Sequence, residues 1–192
     1  MNCSRPHRGR TWVNDPDYTI ESMPNSSSKP PFLVDAYSDP VLVRIEGRAS
    51  FMNSGSLKDF FAEMARQGKP RLAVDFQYCT SMDSTFLGVL AGAALELRKR
   101  TPAGTLTLIR VGERNLELIR NLGLHRLATV DAGTFSLDLG GGVQALTEQM
   151  RTEIERTRMV LEAHENLLVA DPGNATKFQD VMAFLRSQLN SP

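Results

Sequence analysis

An α/β fold, with a mixed and mostly parallel sheet of about five strands, helices packed on it and a C-terminal helical hairpin, is predicted by three observations. Between residues 32 and 131, segments of period two and period 3.6 alternate in the order β-β-α-β-α-β-α-β. Such alternation implies parallel pairing, here with a hairpin at one edge. One segment, Phe86 to Leu97, is apolar or small at nearly every position, with Glu96 its only charge; a helix apolar on all sides is a buried one. Two further helical segments close the chain, each with an apolar stripe.

The 192 residues suffice for one ordinary domain plus appendages. Acids and bases both number 22, so non-specific attraction to nucleic acid is not expected. Two cysteines, Cys3 and Cys79, make no disulfide framework, which fits a reducing compartment. No apolar run approaches the roughly 20 residues of a membrane span. The opening MNCSRPHRGRTW has arginines but no apolar stretch behind them, unlike a secretory signal. A cytoplasmic protein without direct membrane or nucleic-acid contact is the expectation.

Residues 1–30 read as a disordered N-terminal tail, rich in Pro, Ser, Asn and Arg without periodicity. Arg5, Arg8, Arg10 and Trp12 would be its only nucleic-acid-like feature, and Met23 is an alternative start. Phe32 to Tyr37 is strand-like, Ser38-Asp39-Pro40 a turn, and Val41 to Glu46 a strand with Val41, Val43 and Ile45 on one face. The short connection makes the two strands antiparallel neighbours. Ser56 to Asp59 resembles a capping box; Leu57, Phe60, Phe61 and Met64 follow at helical spacing, and Gly68 sits where a C′ glycine belongs. Arg71 to Phe76 is a strand, and Gln77 to Met82 a loop leading to the apolar helix.

That helix organises the rest. Asp83 and Ser84 are good N-caps, placing a hydroxyl on an outward-facing first turn. Gly88, Ala91, Gly92 and Ala94 lack bulk and would let the helix press on a sheet; Arg98, Lys99 and Arg100 gather at its negative end. Thr105 to Val111 is the next strand, Glu113 to Asn121 an amphipathic helix closed by Gly123, and Ala128 to Asp131 a last strand. Cys79, just before the site, reads as a packed small hydrophobe.

With these elements in place, the chain resembles the STAS domain family, which includes the bacterial anti-sigma factor antagonists. The resemblance covers about residues 31–135 and rests on Met82-Asp83-Ser84-Thr85-x-Leu87-Gly88 after a strand, with Leu118-Ile119-Arg120-Asn121-Leu122-Gly123-Leu124 downstream. The family signature, Asp-Ser-(Ser or Thr)-Gly-Leu, is matched at Asp83, Ser84, Thr85 and Leu87; Phe86 stands in place of the usual glycine. Phenylalanine there either anchors a partner or packs into the fold.

The resemblance implies a phosphorylation-controlled protein-binding switch in transcription regulation, not an enzyme. The unmodified form would sequester a kinase-type anti-sigma factor and so free a sigma factor. That anti-sigma factor serine kinase would phosphorylate Ser84, with Thr85 a secondary candidate, and a metal-dependent serine phosphatase would reverse the mark. Partner contact would fall on Asp83, Ser84, Thr85, Phe86 and Leu87; no cofactor and no bound metal are implied. The alternative is a non-phosphorylated STAS subunit of a transporter or stress-sensing assembly.

Hydrolase or metal chemistry has little support in the residues. Ser84 lies in no Gly-x-Ser-x-Gly elbow, His7, His125 and His164 are scattered, and no metal-binding spacing occurs. Residues 133–142, ending in three glycines, read as a flexible joint. Residues 140–192 form a C-terminal extension. Within it Val143 to Ala170 reads as one helix of about 28 residues, with Leu146, Met150, Ile154, Leu161 and Leu168 as its stripe. A turn at Asp171 to Asn174 leads to a second helix with Phe178, Val181, Met182, Leu185 and Leu189 on one side. This αα-hairpin must bury its apolar faces. Part of it would pack on the domain, and the excess would serve partner docking or a homodimer.

Overall fold

The computed structural model of the protein describes residues 30–131, 133 and 142–190. The N-terminal tail and most of the glycine-rich joint lie outside the described residues. The elements run β1 (Phe32–Asp35), β2 (Val41–Ala49), α1 (Ser54–Arg66), β3 (Arg71–Met82), α2 (Ser84–Arg98), β4 (Thr105–Ile109) and α3 (Glu113–Asn121). A 3₁₀ turn at Leu124–Arg126 leads to β5 (Thr129–Val130), β6 (Gln144–Ala145), α4 (Glu153–Ala170) and α5 (Asn174–Asn190).

One six-stranded sheet has the order β5-β4-β3-β2-β1-β6. Strands β2 to β5 pair in parallel, while β1 is antiparallel to β2 and to β6. The expected mostly parallel sheet with an edge hairpin is therefore present, extended by the two residues of β6. Val41, Val43 and Ile45 of β2 join Leu72, Val74 and Phe76 of β3 and Leu106 and Leu108 of β4 in the main core. Leu42, Ala73 and Ile109, at the intervening positions, form a small cluster of their own, as side-chain alternation requires.

Strand β3 reaches Met82, so the segment from Gln77 to Met82 is strand, not loop. Two register shifts let Tyr78, Cys79, Ser81 and Met82 keep pairing with Glu46 to Ala49; such irregularities break the alternation that marks a strand in sequence. Helix α1 begins at Ser54, ahead of the expected box, and its N-cap is Asn53 without a side-chain cap bond. Asp59 pairs with Arg151 instead, and Glu148 Oε2 accepts from the Ser56 N–H at 3.3 Å. The C-terminal segment thus supplies the cap.

The long C-terminal helix is shorter than expected, 18 residues from Glu153. Thr152 and Glu155 form a reciprocal capping box, which fixes the start there and leaves Met150 fully exposed outside the helix. Its buried face is Met159, Ala163, His164, Leu167 and Ala170. The glycines of α2 face this helix, not the sheet. A Cβ on Gly88 would lie 2.1 Å from the Ala163 carbonyl oxygen, and one on Gly92 would lie 2.5 Å from the Asn166 amide nitrogen. Ala163 and Leu167 belong to the main core, with Leu146 and Phe178 packed against it.

The α4–α5 turn is anchored by buried Asn174, whose Nδ2 donates to the carbonyls of Leu122 (3.0 Å) and Leu167 (2.8 Å). Lys58–Glu162 ties α1 to α4 at 2.5 Å, and Arg186–Glu165 ties α5 to α4 at 3.1 Å. Both pairs are exposed and add little; the packing at Gly88 holds the hairpin.

Candidate functional site

The site grows from the junction of β3 and α2. Asp83 is the N-cap of α2, with extended backbone at φ −114° and ψ 175°. Its Oδ1 accepts from the Phe86 N–H at 2.9 Å and its Oδ2 from the Phe51 N–H at 2.8 Å. One carboxylate thus caps the helix and pins the β2–α1 connection to it. Ser84 is the first helical residue and half-buried.

Its hydroxyl does not face open solvent. Ser84 Oγ lies 3.1 Å from His164 Nε2 on α4, while His164 Nδ1 lies 2.7 Å from the Val160 carbonyl oxygen. A carbonyl only accepts, so Nδ1 carries the proton and Nε2 of the neutral ring presents a lone pair. In that form Ser84 O–H donates to Nε2. His164 is 4% exposed and packs edge-on against Phe178 of α5, with ring centroids 4.7 Å apart. The spacing of the histidines gave no hint of this pairing, which joins residues 80 apart in the chain.

Of the five residues expected to meet a partner, only Asp83 and Ser84 present appreciable surface. Thr85 is 4% exposed, and Phe86 and Leu87 are fully buried. The Phe86 ring stacks on Phe32 (centroids 6.0 Å apart, planes 7° apart) and meets Phe76 edge-on at 6.2 Å. In the place of the family glycine, phenylalanine packs into the fold.

Ser84 lines two open clefts. One, of about 590 Å³, is shared with Phe51, Glu153, Arg156 and His164. The other, of about 540 Å³, is shared with Leu118, Lys177 and Phe178. A larger cleft of about 740 Å³ lies away from Ser84 and is lined by Arg98, Arg110 and Arg126. There Arg110 is committed to Asp75, Arg126 to Asp171 and Arg98 to the Arg126 carbonyl. Among the described residues no group of His, Cys, Asp or Glu is placed to hold a metal ion, and no helix is long and apolar enough to cross a membrane.

Behind the site, Asp75 of β3 is fully buried and bonded by Arg44 of β2, Arg110 beyond β4, and the Gln77 N–H. Burial pushes its carboxyl up, but the Arg110, Gln77 and Arg44 hydrogen bonds together bring it below the usual value. Burial raises the Cys79 thiol to about 11, outweighing the smaller opposing effects of the neighbouring Ser81 carbonyl and Asn115 side chain. It is a packed thiol, not a thiolate.

A Ser–His pair can pass a proton, but with a carbonyl and no carboxylate behind His164 Nδ1 it is no catalytic triad. An oriented hydroxyl at a helix N-terminus, on a mostly parallel sheet with an edge hairpin, is the arrangement expected of a STAS domain. The family model described as "Mlab, STAS domain" matches residues 32–131, just over half the chain, and the protein belongs to that family. No curated protein sequence matches the chain.

Among solved structures, the unphosphorylated anti-sigma factor antagonist SpoIIAA is 18% identical, covering 54% of this chain and 89% of its own, with a TM-score of 0.45. The phosphorylated SpoIIAA of Bacillus, described as a cell fate determinant, is also 18% identical, covering 53% and 91%, with a TM-score of 0.44. A proposed anti-sigma factor antagonist of Thermotoga maritima is 17% identical, covering 53% and 84%, with a TM-score of 0.42.

Proposed function

We propose that this protein is a cytoplasmic protein-binding switch, not an enzyme, which sequesters a kinase-type anti-sigma factor and so frees a sigma factor. Ser84 is its phosphoacceptor, written by the anti-sigma factor kinase and erased by a metal-dependent serine phosphatase. The observation that carries this reading is the place of Ser84, the first residue of α2 behind the Asp83 cap, half-buried and lining two clefts. A phosphoserine there carries about −1.5 to −2 charges, which the positive end of a helix tolerates. A partner surface without a matching cation does not. Exposed Ile154, Val181 and Phe184 on α4 and α5 are the surface through which the C-terminal helices would dock a partner or a second copy.

Titration calorimetry against the cognate anti-sigma kinase tests the switch. Ser84→Asp weakens binding by at least about tenfold, some 1.4 kcal/mol, while Ser84→Ala keeps it. Equal affinity of both variants and the wild type removes the reading.

One observation favours a second reading. The Ser84 hydroxyl is already engaged by His164 beneath the C-terminal hairpin, as suits a STAS subunit of a transporter or stress-sensing assembly that is never phosphorylated. Affinity capture from the native cell separates the two: transporter subunits support this reading, a histidine-kinase-fold anti-sigma factor the first.

A further inference from the structure

The α4–α5 hairpin lies over Ser84, and its side chains there are chemically selective. We propose that the cleft above Ser84 is a receptor for a phosphate monoester built in cis: a phosphoryl group on Ser84 is held by His164 and Arg156 of the chain's own α4, and the hairpin stays closed over it. This rests on the reading of Ser84 as the phosphoacceptor and goes beyond it, because it assigns the modified residue an intramolecular partner.

Three observations carry the proposal. His164 is buried, and its Nε2 is already aimed at Ser84 Oγ. Its Nδ1 proton is committed to the Val160 carbonyl, so Nε2 can donate to a phosphate oxygen only when the ring is an imidazolium. A dianion beside it favours that form, and the resulting bond is charge-assisted. Second, Arg156 lines the same cleft, and among the described residues its guanidinium has no ion pair or side-chain hydrogen bond. Third, the cleft's volume of about 590 Å³ leaves room for a phosphoryl group.

Two acids also face the cleft, Asp83 and Glu153. Both Asp83 oxygens accept backbone N–H groups, and Glu153 is exposed. Arg156, joined by His164 once its ring is protonated, therefore stands against one uncommitted carboxylate.

The transfer balances with the groups present. The Ser84 oxygen attacks the γ-phosphorus of a nucleoside triphosphate supplied by the kinase. An O–P bond forms as the bond to the leaving nucleoside diphosphate breaks with its electron pair. The hydroxyl proton passes to the Nε2 lone pair it already faces, creating the imidazolium that the product needs.

The experiment uses the full chain with phosphoserine installed at position 84 during translation, in the wild-type background and with Arg156→Ala or His164→Ala. Phosphorus NMR reads the second ionisation of the phosphoserine, and hydrogen exchange reads α4 and α5. The expected second pKa lies at least about half a unit below the ordinary value of about 6 and returns towards it in each variant. Exchange over α4 in the phosphorylated wild type is no faster than in the unmodified chain. A second pKa indifferent to both substitutions, or faster exchange over the hairpin on phosphorylation, overturns the proposal. Arg156 is exposed, so its variant keeps the test decisive if His164→Ala misfolds. Because the phosphoserine is installed directly, the outcome does not depend on whether any cellular kinase modifies Ser84, and the calorimetric test can fail without touching it.

Discussion

Ser84 Oγ and His164 Nε2 lie 3.1 Å apart, joining the first turn of α2 to the middle of α4. A hydroxyl free to any visitor and a hydroxyl engaged by a second helix are different chemical objects. The second has a defined direction, because the proton on Nδ1 fixes which ring nitrogen accepts. It also has a defined cost of release, since lifting α4 breaks this bond and hands both groups to water. Breaking a neutral hydrogen bond of this kind costs about 1 kcal/mol, small enough for a tightly binding partner to supply.

The seating of α4 depends on the absence of a side chain at position 88. In Gly88→Ala the new Cβ meets the backbone of Ala163, with the carbonyl oxygen 2.1 Å away, and a backbone cannot rotate aside. The expected result is a loss of about 1–3 kcal/mol in urea unfolding, typical of overpacking, with faster hydrogen exchange concentrated in α4 and α5. A variant as stable as the wild type, with unchanged exchange over α4, would show that the helices do not touch at this point.

Asp75 ties acid stability to the sheet. Its carboxyl is held below the ordinary value of 3.8 in the folded state, so the unfolded chain binds the proton more readily. The stabilisation is fully present above about pH 4 and is lost as pH falls through the folded-state value. Asp75→Asn should flatten this acid limb. At neutral pH it should also destabilise the fold by up to the roughly 3–5 kcal/mol of a broken buried pair. The lower part of that range is expected, because Arg44 and Arg110 keep 17% and 29% exposure. Urea midpoints of both proteins from pH 2.5 to 7 measure this; parallel curves would exclude Asp75 as the titrating group.

Cys79 offers a chemical probe of the fold. With its thiol raised to about 11 by burial, under about one per cent is thiolate at pH 8, and alkylation proceeds through the thiolate. Iodoacetamide should therefore modify Cys79 at least about tenfold more slowly in the native protein than in urea. Equal rates would mean that the β3 extension carrying Cys79 opens freely.

Where the signal was local, the sequence carried it. Asp83 is legible as a cap because capping needs only the next three residues, and the helix Glu113–Asn121 appears with the boundaries its apolar spacing indicates. The start of α4 was also written locally, at Thr152 and Glu155, but the apolar residues Leu146 and Met150 continued the spacing upstream and obscured it. The small residues of α2 announced a close approach, expected against the sheet and found against α4, since Gly88 fits a strand or a helix equally well. His164 was beyond reach for a plainer reason. Its role depends on how α4 is laid across α2, and no periodicity encodes the rotation of one helix against another. Phe86 stood as an undecided residue, and the stacked Phe32 that settles it comes from the far end of the domain.

The family match stops at residue 131, yet Ala163 and Leu167 lie in the same core as the strands. A border set by kinship is therefore not a border of the folded body. Cut there, the protein would show water a bare seam along α2, with two glycines at its centre and nothing to shield the leucines beside them. What looks like an annexe from the standpoint of ancestry is, to the molecule, an outer wall.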